Sequence, residues 1–308
     1  MLKKFHQFIT EQVSTQALSP AQEEFLNNCT EGSWSINPQT GLVDVNGTFR
    51  CPEMDLSDFM GIRFGNVSGD FNCYGNKLAS LEGAPRTVGR DFNFWGNNLT
   101  SLEGAPETVG RDFNCLNNLL TTLEGAPKTV GRDFDCKNNK LVSLEGAPLT
   151  VGRAFDCRDN SLTSLKGAPE TLGAGFNCKN NKLTTLEGFP KDSNSLDCSH
   201  NQLESLKGIP ESSSFWFLCC KGNRLKSIGT SIEVSRKLDL SDNQLTTIKG
   251  IKCAKGADYD IDLSNNTFPG NVLKASMKSD KAYISAIGKA IQSRRIGSSQ
   301  LDLGWIDV

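Results

Sequence analysis

Residues 102–123 read LEGAPETVGRDFNCLNNLLTTL, and nearly the same string returns 21 residues later as LEGAPKTVGRDFDCKNNKLVSL. Outward from this pair, related segments begin at Leu81, Leu144 and Leu165, in step with the same 21-residue period. Phe71, Phe92, Phe113, Phe134, Phe155 and Phe176 hold one register, and Asn76, Asn97, Asn118, Asn139, Asn160 and Asn181 hold another. A degraded register continues through Leu196, Leu218, Leu238 and Ile261, which gives about ten coils of 20–23 residues. A period of this length indicates a stacked array, because one such coil cannot bury its own apolar face.

Alternation along a short strand puts residues such as Phe113 and Cys115 inward. Asn118 falls where the chain turns out of that strand, so its amide is placed to bond backbone groups of adjacent coils. Gly125, Ala126 and Pro127 mark a tight turn on the opposite side. Seven cysteines, Cys73, Cys115, Cys136, Cys157, Cys178, Cys198 and Cys220, share the inward register, with Phe94 in their place in one coil. A line of single thiols is not the closed cluster that a metal wants, and it reads as a column of small hydrophobes. No metal and no cofactor are expected. So many free thiols also suggest folding in a reducing compartment.

The Phe/Leu-x-Cys/Leu-x-x-Asn-x-Leu pattern resembles the leucine-rich repeat in its short bacterial form. The Gly-Ala-Pro segments are similar to those of repeat proteins encoded by tailed phages, and more distantly to the repeat domains of bacterial secreted effectors. The resemblance covers roughly residues 40–268. It implies an α/β repeat solenoid with a short parallel strand per coil and helical caps at both ends. For function the resemblance is nearly silent, since such scaffolds host many partners. The absence of phosphate-cradling loops and nucleophile motifs, with a broad strand face, leads to the expectation of a non-enzymatic, protein-binding scaffold.

Composition narrows the function classes. With a formal charge of −2 in 308 residues, bulk charge gives no reason to expect nucleic acid or membrane adhesion. No apolar run reaches the roughly 18 residues of a membrane span. Only two histidines, His6 and His200, are present, which disfavours His-based catalysis and multi-His metal sites. No signal peptide is read at the N-terminus, so secretion by that route is not expected. The remaining locations are a virion or the cytoplasm of a host cell.

Solenoids usually bind through the strand face. Its outward positions here include Asp91, Asn93, Asp112, Asn114, Asp133, Asp135, Asp156, Asn177 and Asp197, an acidic-amide ladder on the expected concave side. Arg90, Arg111, Arg132 and Arg153 run beside it. These Asp and Asn residues, with Tyr74 and Trp95 as aromatic anchors, are the candidate partner-binding set. Phe215, Trp216 and Phe217 arrive together where the repeat lengthens to 22 residues, and one or two of them are needed to fill that coil.

The organisation at the ends follows. Residues 1–33 form a leader and a capping helix, with a helix start at Ser19-Pro20. Residues 34–270 form the solenoid, of which 34–68 alternate as strands and close its first turn. Residues 271–308 supply a helical cap and tail, with a helix over about Ser279–Arg294. The opening MLKKFHQFITEQ resembles the capsid-targeting leader of phage internal head proteins, which a prohead protease cuts after an (Ile or Leu)-x-Glu site. The resemblance implies processing at Ile9-Thr10-Glu11, before Gln12, although a small residue is more usual at that last position.

Overall fold

Each regular coil carries two short strands where the sequence indicates one. In the computed structural model, which describes residues 17–247, 249–253 and 260–267, Thr-Val pairs and Phe-Asn pairs form separate parallel ladders. The chain divides into two units, residues 1–135 and 136–308. In the first, Thr87–Val88, Thr108–Val109 and Thr129–Val130 pair in register, and so do Phe71, Phe92, Phe113 and Phe134. In the second, Thr150 pairs with Thr171, and the Phe ladder runs Phe155, Phe176, Leu196, Leu218, Leu238, Ile261.

Between the two strands of a coil the chain bends at Gly-Arg-Asp. A Cβ on Gly110 would overlap the carbonyl oxygen of Gly89, and one on Gly131 that of Gly110. Here glycine is required by the close approach of successive coils. The Gly-Ala-Pro turn needs it for a different reason: Gly104 and Gly125 have φ of 88° and 90°, a left-handed region costly for other residues.

The doubled asparagines of the turn divide the work. The first, as at Asn117 (φ 53°) or Asn180 (φ 54°), takes the left-handed conformation that Asn tolerates. The second builds the ladder. Asn97 donates from Nδ2 to the carbonyls of Cys73 (3.0 Å) and Phe94 (3.1 Å), while its Oδ1 accepts the Leu78 N–H (3.0 Å). Asn118, Asn181, Asn201, Asn223 and Asn243 repeat this pattern in their own coils.

The inward columns are dry. Phe71, Phe92, Phe113 and Phe134 are at most 1% exposed, and all seven cysteines of the inward register are buried, as is Phe94. Cys51 begins the same column, its Sγ 2.8 Å from that of Cys73. Burial pushes the Cys73, Cys115, Cys178 and Cys220 thiols well above the usual range, so they remain protonated.

At the start of the described chain, helix α1 (Pro20–Cys29) begins in a capping box: Ser19 accepts from the Gln22 N–H, and the Gln22 side chain accepts from the Ser19 N–H. It buries Phe25, Leu26 and Cys29, with the Phe25 ring edge-on to Phe49 at 5.7 Å. Strand β1 (Thr30–Ile36) then pairs antiparallel with β2 (Val43–Arg50), so strand structure begins a few residues before position 34. α1 is the only helix among the described residues. The α/β label therefore overstates the helical part: Gly and Pro in the return segments between Leu81 and Pro210 stop a helix before one turn completes. The expected C-terminal helix lies outside the described residues, as does all of the proposed 271–308 cap.

Candidate protein-binding face

In the first unit the aspartate row of the strand face is satisfied from within. Asp70, Asp91 and Asp112 each accept the backbone N–H of the aspartate one coil on, at 3.3, 3.2 and 3.2 Å. Each also meets the arginine of the next coil: Arg90–Asp70 3.6 Å, Arg111–Asp91 3.6 Å and Arg132–Asp112 3.7 Å. Their side chains are 14%, 35% and 34% exposed, so these pairs are partly screened and contribute modestly, while cancelling the row's charge. Asp133 is the last of the row in this unit, its N–H donated to Asp112.

The row two residues on caps the turn that follows. Asn93 and Asn114 accept the N–H groups of Trp95 (3.3 Å) and Leu116 (3.2 Å). In the second unit Asp156, Asn177 and Asp197 do the same for Arg158, Lys179 and Ser199, at 3.2, 3.2 and 3.0 Å. Asp135 holds the corresponding strand position, its carbonyl receiving the Cys115 N–H at 2.9 Å. The candidate Asp and Asn residues thus do line the strand face, and most of them have structural work there.

Tyr74 and Trp95 are less available than free anchors would be. Their rings stack on each other at 4.8 Å and 7°, and both residues are half-buried. Among the described residues the exposed aromatics are Trp216 (54%) and Phe217 (42%), whereas Phe215 is fully buried and fills the core. A bulge makes this arrangement: in the strand Ser213–Cys219, Phe215 pairs with Val234 but Phe217 with Lys237. The extra residue lies on the partner strand Ile232–Asp239, where Ser235 and Arg236 together face Trp216, and both Trp216 and Phe217 are left exposed. Arg236 places its guanidinium 6.0 Å from the centre of the Trp216 ring. The 22-residue spacing marks the irregular coil in the sequence, but not which ring is expelled. Cys219, on the same face, is half-buried, and burial followed by the charge of Asp197 pushes its thiol up to about 11.

His200 occupies a left-handed turn position (φ 55°) and is exposed, while Cys198 is buried with its Sγ 3.3 Å from that of Cys220. They do not form a nucleophile–base pair. Among the described residues no group of three or more His, Cys, Asp or Glu is placed to hold a metal ion. No described helix is long and apolar enough to cross a membrane. A groove of about 650 Å³ opens in the first unit between β1 and the Thr-Val ladder, lined by Trp34, Val45, Thr87, Thr108 and Gly110 among others. Ile9, Glu11 and Gln12, the expected processing site, lie outside the described residues.

Parallel coils about 21 residues apart, an inward Phe/Leu and Cys core and a continuous asparagine ladder within each unit define a leucine-rich repeat fold. Among solved structures the chain is similar to YopM from Yersinia enterocolitica WA-314, with a TM-score of 0.56 and 19% identity over 88% of this chain and 56% of that one. It is also similar to YopM from Yersinia pestis, described as a leucine-rich effector protein, with a TM-score of 0.53 and 18% identity over 86% of this chain and 72% of that one. The chain thus spans little more than half of the first of these proteins. At such identities the likeness establishes the fold. No protein-family model and no curated protein matches the chain.

Proposed function

We propose that this chain is a non-enzymatic scaffold that binds another protein through the strand face of its coils. The observation that carries the reading is the pair Trp216 and Phe217, held out to solvent on that face while Phe215 takes the core position. Exposed neighbouring aromatics cost solvation free energy in an isolated protein and are the residue types that dominate interface energetics. The fold neighbours support a scaffold role, since stacked coils present a broad, regular surface. The buried, protonated thiols and the turn position of His200 support the absence of catalysis.

A photo-crosslinking residue at Ser195, in register with Phe217, should give a covalent adduct to a protein in cells that naturally contain the chain. The same residue at Thr163, exposed on the return segment, should not. Adducts from Thr163 alone would remove the strand face from the reading.

The leader supports a finer assignment. On its likeness to capsid-targeting leaders, the protein is a phage virion component, cut after Glu11, whose partners are other virion proteins. Mass spectrometry of purified particles is expected to find the chain with Gln12 as its first residue. Its absence from particles, with abundance in infected cells, would instead favour a cytoplasmic protein that binds a host factor.

A further inference from the structure

We propose that the strand face around Trp216 and Phe217 takes a basic, apolar segment of a partner protein, with aliphatic or aromatic side chains on the two rings and Lys or Arg beside them. This rests on the scaffold reading above and specifies the partner's chemistry.

Two rows of the strand face contrast in charge, the one just before the inward Phe/Leu position and the one just after it. In the first, the strand-face aspartates Asp70, Asp91 and Asp112 each have an arginine within 3.7 Å. In the second, Asp197, Cys219, Asp239 and Asp262 occupy one register across neighbouring strands. Two residues back, on the same side of those strands, stand Ser195, Phe217, Lys237 and Asp260. Asp197, Asp239 and Asp262 each direct one oxygen to a backbone N–H two residues on, at 3.0 Å in all three. None of the three has an ion-pair partner among the described residues.

The cations nearby form their ion pairs with other carboxylates, although the Lys221 charge also acts on Asp239 and Asp262 from a distance. Lys237 meets Asp260 at 3.7 Å, and Lys221 meets Asp242 at 3.3 Å. Arg236 lies over the Trp216 ring. With strands about 4.8 Å apart, Asp197 and Asp239 stand about 10 Å apart on either side of Cys219, beside the exposed Phe217. A Lys or Arg side chain entering there meets two carboxylates, while an adjacent apolar side chain covers the rings. An acidic segment would meet the same carboxylates and be repelled.

The test uses the full chain and three short synthetic peptides: one alternating Lys with Leu and Trp, its counterpart with Glu for Lys, and its counterpart with Ser for Leu and Trp. Binding is read by fluorescence anisotropy at low and high salt. The Lys/Leu/Trp peptide is expected to bind, and both counterparts to bind at least about tenfold more weakly. Asp197→Asn with Asp239→Asn keeps the two turn caps, because the amide oxygen still accepts. It should lower the affinity and flatten its salt dependence. Trp216→Ser with Phe217→Ser removes only exposed side chains and should abolish binding with folding retained, checked by circular dichroism.

Equal binding of the Glu peptide, binding indifferent to the Trp216/Phe217 substitutions, or no binding by any peptide would overturn the assignment. These failures are distinguishable from failure of the scaffold reading. Strand-face crosslinks at Ser195 would survive a wrong partner chemistry, whereas crosslinks found only at Thr163 would sink both.

Discussion

Phe113→Ala is expected to destabilise the protein by roughly 3–5 kcal/mol, the range for truncating a fully buried aromatic. Phe113 is 1% exposed, and its ring lies between Phe92 at 5.1 Å and Phe134 at 5.0 Å. The site has little freedom to collapse around the lost ring. The backbone on both sides is fixed by ladder bonds, Phe92 N–H to Asp112 and Phe113 N–H to Asp133, both 2.8 Å. The cavity should therefore persist, and the cost includes both lost transfer free energy and lost ring contacts. Urea unfolding of the full chain measures it. Because coils are stabilised by their neighbours, the substitution is also expected to separate a single transition into two. A loss below about 1 kcal/mol would mean that the Phe column is not the continuous core described.

What the sequence makes legible is whatever recurs. Phe92, Phe113 and Phe134 meet the same neighbours coil after coil, so a period alone places them inside, and the same holds for Cys115 and Asn118. The start of α1 is readable because Ser19, Pro20 and Gln22 form a local signal that needs no tertiary context. The Thr-Val ladder is not readable: Thr108 and Val109 form a strand only through the neighbouring coils, which nothing inside one coil reveals. The ion pairs are offset by one coil, Arg111 meeting Asp91 rather than its neighbour Asp112, and a column of letters does not show that offset. Aromatic exposure also depends on register. Tyr74 and Trp95 are 21 residues apart and shield each other, while Trp216 sits opposite a bulge where the register breaks.

Asn97→Ala should cost roughly 3–5 kcal/mol, a large effect for a side chain in a turn. Asn97 is 5% exposed and makes three bonds that no water replaces easily. Alanine leaves the Leu78 N–H without its acceptor, and an orphaned buried donor costs about 1–3 kcal/mol. The carbonyls of Cys73 and Phe94 fare better, since each also accepts from another ladder amide, Asn76 or Asn118. Each therefore loses only a net bond of about 1 kcal/mol. Asn97→Asp separates the two roles. At neutral pH the carboxylate still accepts from Leu78 but cannot donate, and it faces two carbonyl oxygens, so the loss should exceed that of alanine. In acid the protonated carboxyl can donate one of the two bonds, so the aspartate variant should recover part of its deficit relative to alanine as pH falls through the carboxyl range. Urea titrations of both variants at neutral and acid pH check this. Equal losses for Ala and Asp at both pH values would assign the contribution of Asn97 to packing rather than to the amide ladder.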